Sequence, residues 1–141
     1  MAFKVYKGKT KTIWLPVTVS TVLAKDSIVS ESSGYLIAAT ASTAALAHIG
    51  VTPKAVVATD ADYAVARLHP VIVPAERNVE WLGDVTSGLV AADVGLLVDL
   101  TNSTTIDRSA STYDAAMVRK VITSTKGVFV LNLQGSTGMA Q

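Results

Sequence analysis

The sequence predicts a mainly β protein, a small single-domain β-barrel with an extended N-terminal arm and at most one short helix. Short apolar runs recur along the chain at intervals of about 8–12 residues, separated by turn residues. A motif of an apolar-small pair, a turn Asp and an apolar strand occurs at residues 23–29 and in looser form at 90–98. A length of 141 residues fits one domain. We therefore expect three regions: a basic arm (1–12), a barrel domain (13–133) and a flexible tail (134–141).

The expected arm is basic and alternates lysines with apolar side chains, and nothing acidic interrupts it. Alternation of this kind favours an extended segment over a helix. One interpretation is a frayed, solvated terminus. The other is an arm that is disordered in the free monomer and becomes ordered on a partner surface, as the two aromatic residues suggest. The residues expected to contact that partner are Phe3, Lys4, Tyr6, Lys7, Lys9 and Lys11.

The first half of the barrel domain reads as strands broken by small-residue turns. Residues 13–19 predict a strand, and Pro16 confines that strand to an edge or a bulge because proline cannot donate to the ladder. Residues 27–31 and 35–39 predict a hairpin. Residues 40–47 form either a loop or one short helix.

The second half is denser in strand signals, with predicted strands at residues 71–73, 79–82 and 96–100. A final hairpin pairs 117–123 with 128–133 through a four-residue connection. Side chains alternate along a strand, so Val79 and Trp81 share one face and Glu80 and Leu82 the other. We expect Trp81 to point inward and Leu82 outward. Trp14, Trp81 and Leu82 are candidates for an oligomer interface.

The composition is half hydrophobic and only 16% charged, against about 25% in an ordinary soluble domain. A surface with so few charges predicts a chain that functions within an assembly. The net charge of +1 gives no case for a nucleic-acid partner. No stretch approaches the roughly 20 apolar residues of a membrane span, and the first residues lack the continuous apolar run of a signal peptide.

No pattern in the sequence predicts catalysis, and the expectation is a protein that is not an enzyme and needs no cofactor or metal. His48 and His69 lack an accompanying Gly-x-Ser-x-Gly elbow and are interpreted as packed or surface residues. Asp60 and Asp62 lack the further ligands of a calcium loop, so we expect them to cap a turn. The chain contains no cysteine.

Several of these segments together resemble the small capsid decoration, or head cement, proteins of tailed bacteriophages. The resemblance rests on the basic arm and on Lys25-Asp26-Ser27-Ile28-Val29, Ser33-Gly34-Tyr35-Leu36, His48-Ile49-Gly50-Val51, the run from Ala58 to Ala64, Val79-Glu80-Trp81-Leu82 and Val128-Phe129-Val130-Leu131-Asn132. It extends from about residue 3 to residue 133. The chain departs from the usual pattern at Asp26, where many such proteins have glycine, and in the insert at 40–47.

The resemblance implies a compact β-barrel or β-tulip that binds the outer surface of an icosahedral head, commonly as a homotrimer. The implied partner is the major capsid protein, and the implied location is the virion after synthesis in the host cytoplasm. Two alternatives remain open. One is another small β-barrel virion component, such as a tail-tube or head-completion subunit, and the other is a small enzyme or ligand-binding barrel that uses His69, Asp60 and Asp62.

Overall fold

The fold is mainly β, as predicted. The computed structural model describes residues 3–17, 21–32, 35–40, 48–57, 67–76, 78–86, 88–111, 113–131 and 133. Within these ranges the chain forms strands, turns and one 3-10 turn (Ala91–Asp93), with no α-helix. The strands in chain order are β1 (Lys4–Lys7), β2 (Thr10–Val17), β3 (Ser27–Ser32), β4 (Tyr35–Ala38), β5 (His48–Thr52), β6 (Arg67–Pro74), β7 (Glu80–Val85), β8 (Leu97–Asn102), β9 (Thr105–Asp107), β10 (Ala116–Thr123) and β11 (Lys126–Leu131).

The first sheet forms a closed five-stranded barrel. Its strand order is β1-β7-β11-β10-β8-β9, and a further parallel pairing of β7 with β9 joins the two sides. That pairing sets Asp84 opposite Thr105 and Val85 opposite Ile106, so β7, β11, β10, β8 and β9 make a ring. The remaining strand, β1, pairs antiparallel with the first half of β7. Closure joins the two sides of the ring, where an open sheet would present free edges to another chain.

The second sheet curls into a half-barrel with the strand order β2-β6-β5-β3-β4. No backbone ladder joins its end strands, β2 and β4, in the described part of the chain. Alternation along the strands gives this sheet two apolar faces, and a register shift opposite Ile49 in β5 puts Ile49 and Val51 on different faces. Val29, Ile49 and Val71 line the inside of the half-barrel, whereas Ile28, Val51 and Ile72 pack on the barrel core.

The barrel core contains the large aromatic side chains. Phe3, Trp81 and Phe129 are each no more than 1% exposed. Phe3 fits because residue 83 is glycine: a Cβ at that position would lie 2.7 Å from Phe3 Cε1, closer than atoms can approach. Gly83 therefore provides the space in the barrel wall that the Phe3 ring fills.

The two sheets are joined near Asp26. The backbone N–H of Phe3 donates to the Asp26 carbonyl at 2.8 Å, and Lys4 Nζ lies 3.6 Å from Asp26 Oδ2. Asp26 has φ +58°, in the left-handed region that favours glycine but that Asp adopts more readily than most residues. A second contact between the sheets lies two residues further along, where the N–H of Ile28 donates to the Ser103 carbonyl at 2.8 Å.

The prediction of an arm separate from the barrel domain is wrong. Residues 4–7 and 10–12 belong to the two sheets as β1 and the start of β2, and Phe3 is part of the barrel core. Alternation correctly indicated extended chain. Alternation could not show that this segment pairs with β7 and β6, which are far away in sequence. Because of these pairings, the boundary at residue 12 does not divide an arm from the domain.

Both predicted hairpins are present, as β3–β4 and β10–β11. The second connection is shorter than expected, because Thr123 pairs with Lys126 and only residues 124–125 form the turn. Gly127 lies inside β11, where a Cβ would come within 2.7 Å of Leu89 Cδ2. Its role is close packing and not turn formation.

The remaining predictions have mixed outcomes. Pro16 lies on an end strand, as expected. The repeated motif is not a structural repeat, since Asp26 is left-handed and precedes β3 directly, whereas Asp93 ends a 3-10 turn. The short β9 was not predicted. The segments 40–47 and 134–141 lie wholly or mainly outside the described residues, apart from Thr40, which forms a single bridge with Asn102.

Candidate functional site

The most exposed large apolar side chains of the described chain, Trp14 and Leu68, lie together on the outer face of β2 and β6. They are 60% and 61% exposed. Trp14 is opposite Pro70 and Leu68 is opposite Pro16, so the two large side chains are diagonal neighbours, which long side chains can bridge. We call Trp14, Pro16, Leu68 and Pro70 the outer patch.

The outer patch continues a face that is buried elsewhere. Leu68, Pro70 and Ile72 point to the same side of β6, and Ile72 packs against the barrel core. Past the edge of the barrel the same face has no cover from the described residues, and its apolar side chains meet solvent. Contiguous exposed apolar surface of this kind marks interaction sites in soluble proteins.

Of the predicted interface residues, Trp14 is accessible and Trp81 is not. Trp81 is 1% exposed in the barrel core, so the expectation that it points inward is confirmed and its assignment to an interface is wrong. Leu82 is half-buried on the opposite face, beside Lys4 of β1 and Val128 of β11. Leu68 was not predicted as an interface residue. The alternation of Leu68-His69-Pro70-Val71 indicates that Leu68 points outward once Val71 is known to point into the half-barrel.

Of the predicted partner-contact residues, Phe3 is buried within its own chain, which contradicts a contact with another protein. The others are exposed, and their contact with a partner stays a prediction: Lys4, Tyr6, Lys7, Lys9 and Lys11. They do not form one surface feature. Lys4 faces Asp26, the backbone N–H of Lys9 donates to Glu76 Oε1 at 3.0 Å, and Lys11 lies beside a cavity on the inner side of β2.

That cavity opens at one end of the half-barrel and has a volume of about 300 Å³. Its walls are mainly apolar, and Lys11 and Glu31 contribute the charged groups. The described residues that line it are Lys11, Ile13, Leu15, Glu31, Ile49, Val73 and Pro74. The cavity and the outer patch therefore lie on opposite faces of β2.

His69 is buried and hydrogen-bonded, which confirms its interpretation as a packed residue. Its Nε2 lies 2.9 Å from the Lys54 carbonyl and 2.7 Å from Thr52 Oγ1. A carbonyl only accepts, so Nε2 carries the proton in this contact. The side chain is 1% exposed and offers no accessible nitrogen to a ligand. The side chain of His48, with Asp60 and Asp62, lies outside the described residues.

The strongest ion pair of the described residues holds the loop before β8. Arg108 donates to both carboxylate oxygens of Asp93, at 2.8 Å and 3.1 Å, and the N–H of Val90 donates to the same carboxylate at 2.9 Å. The hydrogen bond from Arg108, then that from Val90, holds the pKa of Asp93 below its ordinary value. The same pairing raises the pKa of Arg108. These bonds fix the conformation of the loop.

Within the described ranges there is no group of three or more His, Cys, Asp or Glu side chains that could hold a metal ion. The same ranges contain no helix long and apolar enough to cross a membrane. No protein-family model matches the chain, and the search of curated proteins finds no significant match.

Proposed function

We propose that this protein is a structural component of a phage head that binds the outer capsid surface and bridges adjacent major-capsid subunits. In this role it catalyses no reaction and uses no cofactor. The sequence resemblance suggests the role and a trimeric state, and a small β-barrel domain is compatible with it. The observation that supports binding most directly is the outer patch, where Trp14 and Leu68 are each about 60% exposed.

The outer patch suits a contact repeated over a symmetric shell. Tryptophan is among the residues that dominate binding energy at protein interfaces, and truncating such a residue typically costs about 2 kcal/mol or more. The patch carries no charged side chain whose desolvation would oppose binding. Many such contacts, repeated by the symmetry of the head, would raise the free energy needed to separate capsomers.

Co-sedimentation with empty heads that lack the protein tests the proposal. We expect the wild-type chain to pellet with the heads, and the double variant W14S/L68S to bind at least tenfold more weakly. The matched control is V22S/I122S, which removes two other apolar side chains that are 53% and 45% exposed. Both double variants should keep the wild-type melting temperature, because exposed substitutions rarely change stability by more than about 0.5 kcal/mol.

Two results would contradict the proposal. Failure of the wild-type protein to bind heads would remove the capsid role, and unchanged binding of W14S/L68S would remove the outer patch from it. Ring stoichiometry then separates the remaining virion roles, since a hexamer would favour a tail-tube subunit over a trimeric decoration protein.

A further inference from the structure

A loop on the barrel exposes a group of aliphatic side chains. Val90, Val94, Leu96 and Leu97 lie within eight residues and are between 39% and 50% exposed. We call residues 90–97 the apolar loop. Exposed aliphatic residues are ordinary when they occur singly, whereas four of them within eight residues make this loop a candidate for contact with another molecule.

The apolar loop is held rigidly. The Asp93 carboxylate accepts from Val90 N–H and from Arg108, and the N–H of Gly95 donates to the Val118 carbonyl at 2.7 Å. Val118 N–H in turn donates to the Leu96 carbonyl at 3.0 Å. Because its backbone is already ordered, the loop would lose little conformational entropy on binding.

The cavity of the half-barrel has complementary chemistry and sufficient volume. Its apolar wall includes Ile13, Leu15, Ile49 and Val73, and its volume is about 300 Å³. An apolar protein cavity of about 150 Å³ already binds benzene. The cavity can therefore admit aliphatic side chains of the size of leucine. Among the described residues, the apolar loop of the same chain does not line this cavity.

One pair of charges beside the two features is complementary. The cavity lining carries an acidic and a basic group, Glu31 and Lys11, and both are exposed. Lys120 is exposed two residues after Val118, whose backbone hydrogen-bonds to the apolar loop. Neither Glu31 nor Lys120 forms an ion pair in the described part of the chain. Opposite charges at the rim of an interface favour one orientation of the partners.

We propose that the apolar loop of one chain inserts into the half-barrel cavity of a second copy, with Lys120 of the inserting chain beside Glu31 of the receiving chain. The contact joins two different surfaces of the same protein. Such head-to-tail contacts generate closed rings when the rotation closes and open filaments when it does not. This proposal does not depend on binding to a capsid.

The test uses two exposed single variants, one for each side of the contact. Leu96→Asp places a charge on the apolar loop, and Glu31→Lys sets two positive charges against each other. In sedimentation velocity of the full chain we expect the wild type to associate, and each variant alone to associate at least tenfold more weakly. The control variant Val22→Asp, at a residue 53% exposed, should associate as the wild type does.

Mixing the two variants separates this contact from a symmetric one. The Glu31→Lys chain retains its loop and the Leu96→Asp chain retains its cavity, so the mixture should form one-to-one dimers and nothing larger. Within a single chain, E31K/K120E should restore association, because the two charges are exchanged and remain opposite.

The proposal is overturned if the wild type is monomeric at all concentrations, if the mixture forms no heterodimer, or if E31K/K120E remains as weak as Glu31→Lys. Added benzene tests whether a small molecule occupies the cavity in place of the apolar loop. If benzene raises the melting temperature while Leu96→Asp leaves association unchanged, the cavity is a small-molecule site and the loop does not enter it.

Discussion

The closed barrel and the half-barrel have different cores although both are built from short strands of similar composition. The barrel contains Phe3, Trp81 and Phe129, and the parallel pairing of β7 with β9 completes its wall. Among the described residues, the hydrophobic core of the half-barrel is aliphatic, and its end strands β2 and β4 share no ladder. The half-barrel retains a cavity of about 300 Å³.

The difference indicates what closure requires in so small a sheet. The five-stranded ring has large side chains that fill its interior, and glycines in its wall make room for neighbouring side chains. Gly83 and Gly127 occupy such positions, since a Cβ added at either residue would lie 2.7 Å from a neighbouring side chain. The described core of the half-barrel has no aromatic filling, and an unfilled apolar interior loses the contacts that close packing supplies.

The two tryptophans give the largest expected contrast. Trp81→Ala should lower the free energy of unfolding by about 3–5 kcal/mol, because it leaves a cavity in the closed barrel. Trp14→Ala is the matched control and should change it by less than about 0.5 kcal/mol, since Trp14 is 60% exposed. Urea unfolding measures both. Equal losses for the two variants would contradict the assignment of Trp81 to the core.

Phe3 tests whether the first residues belong to the barrel. Phe3→Ala should cost about 3–5 kcal/mol of unfolding free energy because the ring fills the space over Gly83. Tyr6→Ala, in the same segment but 47% exposed, should cost little by comparison. If thermal and urea unfolding of Phe3→Ala match the wild type, the segment is an arm outside the core after all.

Two isoleucines compare the cores directly. Ile106 is fully buried in the barrel, whereas Ile49 lines the cavity of the half-barrel. Ile106→Ala should cost about 4 kcal/mol and Ile49→Ala about 2 kcal/mol, since a residue beside existing empty space loses fewer contacts. Chemical denaturation of both variants checks the order. A larger cost at Ile49 would mean that the half-barrel is packed as closely as the barrel.

Ser30 offers a small effect of opposite sign. The hydroxyl of this buried half-barrel residue has no hydrogen-bond partner in the described part of the chain. A buried hydroxyl without a partner is destabilising, so Ser30→Ala should raise the free energy of unfolding by about 1 kcal/mol. Ser27→Ala is the control and should lower it, because Ser27 Oγ donates to the Ala24 carbonyl at 2.7 Å.

The smallest expected effect concerns the Asp93–Arg108 pair of the barrel. The pKa of Asp93 is lowered in the folded protein, first by the hydrogen bond from Arg108, so the ionised carboxylate favours folding. This contribution is complete above the ordinary value of 3.8 and is lost as the pH falls through the lowered pKa.

Hydrogen exchange at the Val90 amide reports this titration, since that amide donates to Asp93 Oδ2. Its protection factor should be constant at neutral pH and fall only below pH 3.8, and Arg108→Gln should move the loss upward toward that value. Loss of protection in the wild type near pH 6 would show that Asp93 does not hold the loop.

Much of the fold could be predicted because a strand has a period of two. Alternation placed Val79 and Trp81 on one face, and both are buried. Turn residues located the β3–β4 and β10–β11 hairpins, whose partners are close in sequence. The candidate site was predicted only in part: Trp14 was singled out, whereas Leu68, its neighbour in the outer patch, was not.

The sequence by itself determined that the chain is mainly β, where most strands run and how their side chains alternate, because these properties depend on neighbouring residues. Only the tertiary structure decided that residues 3–12 join the two sheets, that β9 closes the barrel against β7, and which apolar faces stay uncovered. Each of these depends on pairing between segments far apart in sequence. Alternation assigns a side chain to a face, but whether that face is buried depends on which distant strand packs against it.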